Sequence, residues 1–315
     1  MDSNTLSQRP LMMSIAAVER DTGLSKDTLR VWERRYDFPQ PVRDGQGERC
    51  YPLDQIEKLR LIKRLLDVGH RPSRLVSLPM QDLQALSERS ADAQGLSGPT
   101  RRRGVGSGIR PAEAEDAPLG LRAELSRGLL QMGLSRFIAE LVTPLLTAIG
   151  DGWLRGRIQI FQEHWATHYI QQTLHSAIQS FPAPQGPASP RVLLSTLPGE
   201  HHALGLLVVE SWLCLDQAQA INLGPQTPLW DLVLAVQSCK IDIVALSFSP
   251  HAPPPLIQDG LADLRAKLPP HVALWAGGSH PLLQRKPPEG VLVLNDRSSL
   301  SSALALWRAR HQSPR

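Results

Sequence analysis

The spacing of apolar positions divides the chain into three blocks with different periods. Residues 12–86 alternate short helical patterns with turns, and residues 119–182 carry apolar stripes at helical spacing. Residues 190–315 alternate short β-like apolar runs with helical segments, which is typical of a doubly wound parallel sheet. We therefore predict a multidomain α and α/β protein with a helical N-terminal domain, a central helical bundle and a C-terminal sheet domain.

Two stretches without an apolar period separate these blocks. Residues 87–118 are rich in Ser, Gly, Ala and Pro and contain the run Arg101-Arg102-Arg103. Such a composition buries too little surface to offset the entropy of ordering, so we predict a flexible, solvated linker. The second break, residues 182–190, contains four prolines and one glycine. The predicted domains are therefore residues 1–86, 119–182 and 190–315.

Five β-like runs alternate with helical segments in the last block, and they are Val192–Leu197, Ala218–Leu223, Ile241–Ser247, Val272–Ala276 and Val291–Leu294. This alternation predicts a flavodoxin- or Rossmann-like sheet with helices on both faces. Such sheets bind ligands in the loops that follow the carboxyl ends of their strands. The loop after the first strand is therefore the first place to look for binding residues.

Two short helices separated by a glycine-containing turn are predicted at the start of the first block. Ser14 precedes the first helix, Thr22-Gly23 makes the turn, and Ser25 is placed to cap the second helix. A short helix, a turn and a helix that carries arginines form the helix-turn-helix pattern. The block continues with a predicted hairpin at residues 42–51 and a predicted helix at residues 53–66.

Composition is that of a soluble globular protein, with 42% hydrophobic and 20% charged residues. No continuous apolar run approaches the roughly 18 residues that span a bilayer, and the polar N-terminus lacks the apolar core of a secretory signal. The three cysteines, Cys50, Cys214 and Cys239, are far apart. Their spacing disfavours a disulfide framework or a cysteine zinc site, so we expect a cytoplasmic protein without a membrane partner.

Charge becomes informative through its position. The net charge is +4 and the isoelectric point is about 9.2, which alone is a weak signal for nucleic acid. Several basic residues, however, fall on the predicted second helix, where a major-groove reading helix needs them, and the end of the hairpin is suited to hold the DNA backbone. The candidate DNA contacts are Thr28, Arg30, Arg34, Arg35, Arg49 and Tyr51.

The ordered motifs of this block resemble the MerR family of transcriptional regulators. The resemblance rests on Ser14-Ile15 with Ala17, on Thr22-Gly23-Leu24-Ser25, on Thr28-Leu29-Arg30-Val31-Trp32-Glu33-Arg34 and on Arg49-Cys50-Tyr51. It covers about the first 80 residues and implies a winged helix-turn-helix that binds double-stranded operator DNA. A solvated helix face is the alternative interpretation of the arginines. Trp32 is expected to pack in the core rather than contact a base.

The loop after the first predicted strand, residues 198–205, carries a candidate metal ligand. A histidine at the edge of a sheet can offer an imidazole nitrogen to a metal, and His202 stands there. Glu200 can accept the other ring N–H and raise the basicity of the imidazole. Gly205 would let a bulky planar ligand approach the backbone. His201 is an adjacent competitor for the ligand role.

Three spaced elements of this block resemble the B12-binding signature. They are Glu200-x-His202-x-x-Gly205, then Ser247-Phe248-Ser249 after 41 residues, then Gly277-Gly278 after 27 more. The resemblance implies that the nucleotide tail of cobalamin enters between the sheet and its helices, with His202 as the lower ligand of cobalt. Glu200 stands where the signature has Asp, and Ser249 where it has Leu. Neither exchange removes a ligand.

Trp153, followed after nine residues by Glu163-His164, resembles the cap of the light-responsive, B12-binding MerR regulators of carotenoid genes. In that family the Trp packs against the adenosyl group, and the Glu and His line the same pocket. Where some members have a His after the Trp, this chain has Leu154. The alternatives are a core tryptophan, an exposed Glu-His pair, and a zinc site on His164 and His168 that lacks an evident third ligand.

The combined resemblance implies a non-enzymatic repressor that binds adenosylcobalamin in the dark and assembles on operator DNA as a homo-oligomer, a dimer or tetramer. Light would break the Co–C bond, dissolve the assembly and release the DNA. One alternative is a regulator of the same fold controlled by another ligand or a partner protein. A second alternative is a corrinoid carrier or methyltransferase module, which leaves the MerR-like end unexplained.

Overall fold

Residues 12–93, 117–182, 184, 189–250, 252–286 and 288–311 are described by the computed structural model of the chain. They form two compact units. The first unit contains the N-terminal region together with Thr147–Gln159, and the second contains the remaining bundle residues and the sheet domain. The predicted bundle therefore contributes one segment to the N-terminal unit, which the apolar pattern did not indicate.

The helix-turn-helix is formed by α1 (Ile15–Thr22) and α2 (Lys26–Tyr36), each begun by a serine cap. The Ser14 hydroxyl accepts a hydrogen bond from the Ala17 N–H at 3.3 Å, and the Ser25 hydroxyl accepts one from the Thr28 N–H at 3.1 Å. These bonds satisfy amide donors that have no partner in the first helical turn. The predicted helix-turn-helix is confirmed.

A small antiparallel sheet follows, with β1 (Met12–Ser14), β2 (Val42–Arg43) and β3 (Arg49–Pro52) in the order β1-β3-β2. The hairpin predicted at residues 42–51 is confirmed, with Arg43 paired to Arg49. β1 was not predicted, because a strand of three residues carries too short a pattern to recognise. Its pairing of Met13 with Tyr51 joins the hairpin to the start of α1.

Three helices complete the N-terminal part of the first unit: α3 (Leu53–Asp67), α4 (Pro72–Leu75) and α5 (Met80–Ala93). The last helix continues seven residues past Leu86, where the sequence predicted the linker to begin. Ser87 is fully buried, and the Ser90 hydroxyl lies 2.8 Å from the His70 ring nitrogen. These tertiary contacts override the Ser-rich local composition. The rest of the predicted linker, residues 94–116, lies outside the described residues.

The bundle region consists of α6 (Ala117–Phe137), a π-helical turn (Ile138–Val142), α7 (Thr143–Leu154) and α8 (Ile160–Gln179). Within the described residues, Pro118–Trp153 is one helical stretch long and apolar enough to cross a membrane by length and composition. The stretch is interrupted at Gly133, and its side chains Leu125, Phe137 and Ile138 are fully buried. We therefore interpret the stretch as bundle helices of a globular domain.

The sheet domain is a doubly wound parallel sheet, as predicted. Its strands are β4 (Arg191–Ser195), β5 (Gln219–Asn222), β6 (Ile243–Phe248), β7 (Ala273–Gly278) and β8 (Leu292–Leu294), in the order β5-β4-β6-β7-β8. All five predicted strands are confirmed with small boundary shifts. The strand order reverses between β4 and β6, so the loops after these two strands border the crevice in which such sheets bind ligands.

Helices cover both faces of this sheet, and their bounds are α9 (Leu204–Leu215), α10 (Leu229–Ser238), α11 (Pro254–Lys267), α12 (Pro281–Arg285) and α13 (Arg297–His311). One apolar core lies between the sheet and α10 and α11, and a second lies between the sheet and α9 and α13. This double burial explains why the central strand β6 is apolar at nearly every position.

Candidate functional site

The loop after β4 presents a carboxylate and an imidazole that are joined by a short hydrogen bond. The His202 Nδ1 lies 2.5 Å from the Glu200 Oε1, and the His202 backbone N–H donates to the same oxygen at 3.1 Å. The Glu200 side chain is 2% exposed, whereas the His202 side chain is 65% exposed. The pair therefore consists of a buried, oriented acceptor and a ring that reaches the protein surface.

Glu200 is held from a second loop as well. The Ser249 N–H donates to the Glu200 Oε2 at 2.8 Å, and the Ser249 hydroxyl also bonds to this carboxylate. Burial alone would raise the pKa of Glu200, but the hydrogen bonds from His202 and Ser249 lower it to about 2. Glu200 is consequently ionised at any physiological pH, and both of its oxygens are engaged.

His202 has the orientation that a metal-ligating histidine requires. Because the ionised Glu200 can only accept, we assign the proton of the neutral ring to Nδ1, which leaves the Nε2 lone pair available for a metal. Among the described residues, Nε2 has no hydrogen-bond partner. The hydrogen bond to Glu200 raises the pKa of His202 against the effect of partial burial, and the charge of Glu163 raises it further.

The backbone of this loop is fixed by a residue that the sequence analysis missed. The fully buried Thr196 hydroxyl donates to the Glu200 carbonyl at 2.6 Å and accepts from the Gln226 N–H at 2.8 Å. The Gln226 side chain in turn accepts from the Gly199 N–H at 3.4 Å. The loop after β5 thus braces the loop that carries His202. Thr196 lies four residues before Glu200, but no local pattern reveals a contact with residue 226.

The glycines and serines of the predicted signature lie at close backbone approaches around this loop. A Cβ on Gly205, in the first turn of α9, would lie 2.8 Å from the Ser247 hydroxyl. Gly277 pairs with Ser247 across β6 and β7. Gly278 has φ +114°, and a Cβ there would lie 1.9 Å from the Phe248 carbonyl oxygen. Side chains are excluded at these positions, which leaves backbone and small hydroxyls to line the crevice.

This donor set fits the group that the sequence predicts. One imidazole supported by a carboxylate is suited to the lower ligand of cobalt, and a side-chain-free cradle of glycines is suited to the entry of a nucleotide tail. Within the described residues, no group of three His, Cys, Asp or Glu side chains is placed to hold an isolated metal ion.

The predicted cap residues are distributed over both units. Glu163 and His164 lie near the start of α8 in the second unit. The Glu163 Oε2 is 3.5 Å from the His164 Nε2. The Glu163 Oε1 also accepts from the Thr167 hydroxyl at 2.8 Å. Trp153 belongs to the first unit, where the Arg64 guanidinium lies 5.3 Å from its ring centre. The charge of Glu163 thus acts on His202, whereas Trp153 contacts Arg64 of α3.

In the helix-turn-helix, the predicted DNA contacts Arg30, Arg34 and Arg35 are exposed on α2. Arg30 is half exposed and pairs with Asp27 at 3.2 Å, and the Arg34 Nε donates to the Arg30 carbonyl at 3.4 Å. The Arg35 guanidinium lies over the ring of Tyr36. None of these contacts buries the charge, so the helix surface keeps a positive potential that a phosphate backbone can meet. Thr28 stands at the start of the same helix, bonded to the Ser25 hydroxyl at 2.8 Å.

The predicted wing contacts Arg49 and Tyr51 are both held by Glu33. The Arg49 Nε donates to Glu33 at 3.1 Å, and the Tyr51 hydroxyl donates to it at 2.6 Å. Tyr51 is fully buried, and burial together with its bond to Glu33 raises its pKa. Tyr51 therefore leaves no side-chain surface for DNA in this structure and supports the wing from inside. Both side chains bond to the Glu33 carboxylate on α2, and the local Arg-x-Tyr pattern does not reveal this partner.

Comparison with protein-family models gives two matches. Residues 13–76 match the MerR HTH family of regulatory proteins, and residues 120–176 match a B12 binding domain. The first match covers the helix-turn-helix and its wing, and the second covers the bundle helices. The combination predicted from the sequence, a MerR-type domain with a B12-binding domain, is thereby confirmed.

Two repressors of Myxococcus xanthus are similar to this chain over most of their length. The HTH-type transcriptional repressor CarA is 30% identical over 244 residues, which is 76% of this chain and 77% of CarA. The HTH-type transcriptional repressor CarH is 29% identical over 277 residues, which is 87% of this chain and 90% of CarH. Among solved structures, the monomethylamine corrinoid protein of Methanosarcina barkeri aligns with a TM-score of 0.46 and 16% identity over 72% of this chain and all of that protein.

Proposed function

The chain belongs to the family of MerR-type transcriptional repressors with a B12-binding domain, and we propose that it binds operator DNA as a homo-oligomer when adenosylcobalamin occupies the loop site. The Glu200–His202 pair is the observation that carries this proposal. A buried carboxylate that holds one ring nitrogen and leaves the other free is the arrangement of a metal-ligating histidine. Its place at the switch point of the sheet is where doubly wound folds bind cofactors.

Each residue of the site has a specific task in this proposal. His202 would ligate cobalt through Nε2, and Glu200 would orient the ring. Gly205, Ser247, Ser249, Gly277 and Gly278 border the crevice that receives the nucleotide tail. Glu163 and His164 line the adenosyl side, and Trp153 packs on the nucleoside, because indole offers a broad apolar surface with a polar edge.

Light is the proposed signal. Adenosylcobalamin supplies a cobalt–carbon bond that light breaks. Trp153, Glu163 and His164 would hold the adenosyl group and would lose these contacts when that bond is broken. A ligand stabilises one assembly state only by its differential affinity for that state, so the loss of these contacts favours the dissociated form. DNA binding through several linked helix-turn-helix domains then weakens sharply, because multivalency is lost.

The test uses the full-length protein, incubated with adenosylcobalamin in the dark and passed through size-exclusion chromatography before and after illumination. A random duplex DNA library supplies the operator, by selection for duplexes that the dark protein retains. We expect bound cobalamin in the dark, a larger assembly that binds the selected duplex, and loss of both assembly and DNA binding on illumination.

His202→Ala is the variant for this test, and His201→Ala is its matched control because His201 is adjacent and exposed. We expect only His202→Ala to lose cobalamin. If the protein retains cobalamin but light does not change its assembly, the light switch is contradicted and the proposed binding site stands. No retention by the wild-type protein would favour a regulator of this fold that responds to another ligand. Methyl transfer from the bound corrinoid without selective DNA binding would favour the carrier module.

A further inference from the structure

Gln226, in the loop after β5, has a left-handed backbone conformation that few residues of this chain share. Among the described residues, four residues other than glycine have a positive φ, and they are Asp37, Gln217, Gln226 and Lys240. Three of them lie just past the ends of α2, α9 and α10, where a left-handed residue is an ordinary way to end a helix. Gln226 instead lies in the loop between β5 and α10, with φ +62°.

This conformation costs free energy for any residue with a Cβ, because the Cβ crowds the following carbonyl oxygen. Glycine would adopt the same φ without this cost. Residues that keep such a backbone are held there by their surroundings, and they cluster at ligand clamps and active sites. The hydrogen-bond partners of Gln226 therefore indicate what its unfavourable conformation serves.

Two hydrogen bonds hold Gln226, and both lead to the loop that carries His202. The Gln226 backbone N–H donates to the fully buried Thr196 hydroxyl at 2.8 Å, and this hydroxyl donates to the Glu200 carbonyl at 2.6 Å. The Gln226 side-chain Oε1 accepts from the Gly199 N–H at 3.4 Å. We call these bonds of Gln226 to Thr196 and Gly199 the latch.

The latch acts on the main chain of the residue whose side chain orients the imidazole. The Glu200 N–H donates to the Leu197 carbonyl at 3.0 Å, and the Glu200 carbonyl accepts from Thr196, so both main-chain groups of Glu200 are bonded. The Glu200 carboxylate then holds the His202 Nδ1 at 2.5 Å. A shift of the main chain at Glu200 would therefore move the carboxylate and turn the ring.

We propose that Gln226 is a positioning residue for His202, and that its left-handed backbone is retained because it closes the latch. That His202 ligates cobalt rests on the proposed function, whereas the latch is a property of the protein without cobalamin. The B12-like signature contains no residue of the loop after β5, so this role adds that loop to the site. Support of this kind is expected because ligand orientation depends on groups behind the ligand.

Gln226→Gly tests the latch, and Gln217→Gly is its matched control. Both substitutions remove a glutamine side chain and relieve a left-handed backbone, with φ +62° and +55° respectively. Gln217 makes hydrogen bonds to Cys214 and Arg308, which lie outside the loop that carries His202. The readout is amide hydrogen exchange of the cobalamin-free protein, resolved by NMR.

The amides of Gly199, His202 and Leu194 report the latch, the loop of the imidazole and the sheet, respectively. We expect Gln226→Gly to accelerate exchange at Gly199 and at His202 by about fivefold or more, the effect of losing one hydrogen bond. Gln217→Gly should leave both amides near the wild-type rate, and Leu194 should be unchanged in both variants. An unchanged rate at His202 in Gln226→Gly, or equal acceleration there in the two variants, would overturn the proposal.

A spectroscopic readout separates the orientation of the ring from a general loosening of the loop. Nitrogen-15 correlations of the neutral His202 imidazole report which ring nitrogen carries the proton. The wild-type ring should carry it on Nδ1, because Glu200 accepts there. Gln226→Gly should raise the population of the Nε2–H form, since the Nδ1–H form loses part of its hold on the acceptor. An unchanged tautomer population in Gln226→Gly would contradict the positioning role.

Two substitutions at Thr196 test the hydroxyl through which Gln226 reaches Glu200. Thr196→Val keeps the shape of the side chain without the hydroxyl, and Thr196→Ser keeps the hydroxyl. Exchange at His202 should be accelerated in Thr196→Val and near the wild-type rate in Thr196→Ser, and equal rates in the two variants would overturn the proposal. If Thr196→Val does not fold, Gln226→Gly decides alone, because Gln226 is exposed.

The outcome for the latch is independent of the outcome for the cofactor. All of these measurements use the cobalamin-free protein. A protein that fails to bind cobalamin would refute the proposed function, while the exchange rates and the tautomer of His202 still decide the role of Gln226.

Discussion

Two Glu–His pairs in the second unit use the same side chains in different surroundings. Glu200 and His202 lie 2.5 Å apart with the carboxylate 2% exposed, whereas Glu163 and His164 lie 3.5 Å apart with side chains that are 29% and 73% exposed. Glu200 receives hydrogen bonds from three backbone or side-chain groups of Ser249 and His202 in addition to the ring. The Glu163 carboxylate accepts in addition only from the Thr167 hydroxyl among the hydrogen bonds of the described residues, and both side chains are partly buried.

The difference shows that burial and hydrogen bonding, rather than residue type, determine how firmly a carboxylate orients an imidazole. A buried carboxylate that is fully bonded fixes the ring it holds, and the ring cannot turn without breaking that bond. A surface pair with a longer contact is held weakly, because solvent screens the charges and the side chains keep their freedom. Glu163–His164 is therefore suited to adaptable contacts with a ligand, and Glu200–His202 is suited to a fixed bond to a metal.

The largest expected difference between the pairs is in cobalamin affinity. His202→Ala should weaken binding by at least about 100-fold, because it removes the imidazole that, in the proposed function, ligates cobalt. His164→Ala should weaken binding by about fivefold or less, the loss of one solvent-exposed contact. Equilibrium titration with adenosylcobalamin in the dark measures both constants. Equal losses of cobalamin affinity in the two variants would contradict the distinction between the two pairs.

The next largest effect concerns the two carboxylates. Glu200→Gln keeps the shape of the side chain but removes the charge behind the imidazole, and we expect about 10- to 100-fold weaker binding of cobalamin. Glu163→Gln is the control, with a few-fold effect at most. The same titration measures both variants. A Glu163→Gln loss as large as that of Glu200→Gln would mean that the surface pair orients the metal ligand.

The pH dependence of stability distinguishes the pairs without any ligand. Because the pKa of Glu200 is lowered to about 2 from 4.5, its contribution to stability is complete above pH 4.5 and is lost as the pH falls toward 2. The raised pKa of His202 adds stability that is present below its ordinary pKa of 6.5 and lost as the pH rises through the raised value.

We therefore expect the stability difference between the wild-type protein and Glu200→Gln to be greatest between about pH 4.5 and 6.5, on the order of a few kcal/mol. Urea unfolding of the cobalamin-free protein, monitored by circular dichroism across pH 3 to 8, measures this difference. Glu163→Gln is the matched control and should track the wild-type curve. A difference independent of pH would show that Glu200 acts by packing alone.

The smallest expected effect links the two pairs. The charge of Glu163 raises the pKa of His202, but less than the hydrogen bond that the His202 ring donates to Glu200. Glu163→Gln should therefore lower the pKa of His202 slightly, and Glu200→Gln should lower it more. NMR titration of the His202 ring in the cobalamin-free protein gives both values. A larger decrease of the His202 pKa in Glu163→Gln than in Glu200→Gln would show that Glu163 has the greater effect on this ring.

Local sequence patterns predicted most elements of this fold, although not β1 or the end of α5, and they also predicted the Glu200–His202 pair. The helix-turn-helix, the hairpin and the five strands are each encoded by residues that lie close together in the chain, so a local pattern predicts them. Glu200 and His202 are two residues apart, and their relation was visible in the same way. The role of each predicted DNA contact and of each predicted cap residue remains a prediction.

Long-range contacts explain what the pattern did not predict. Ser249 bonds to a carboxylate 49 residues away, and the Thr196 hydroxyl accepts from the N–H of Gln226, 30 residues away. Tyr51 is buried, and its hydroxyl donates to Glu33 on α2, 18 residues earlier in the sequence. The grouping of Thr147–Gln159 with the N-terminal unit likewise depends on packing partners such as Arg64. None of these residues carries a local signal for its partner, since each partner is fixed only by the tertiary fold.

The most direct test of His202 as the lower ligand is electron paramagnetic resonance of the protein-bound cob(II)alamin, made with and without ¹⁵N-labelled histidine. A nitrogen ligand splits the cobalt lines, into triplets for ¹⁴N and doublets for ¹⁵N. Doublets in the labelled wild-type protein, and their loss in His202→Ala but not in His201→Ala, are the predicted result. Triplets that persist in the labelled protein would show that the benzimidazole of the cofactor keeps this position, and would contradict ligation by His202.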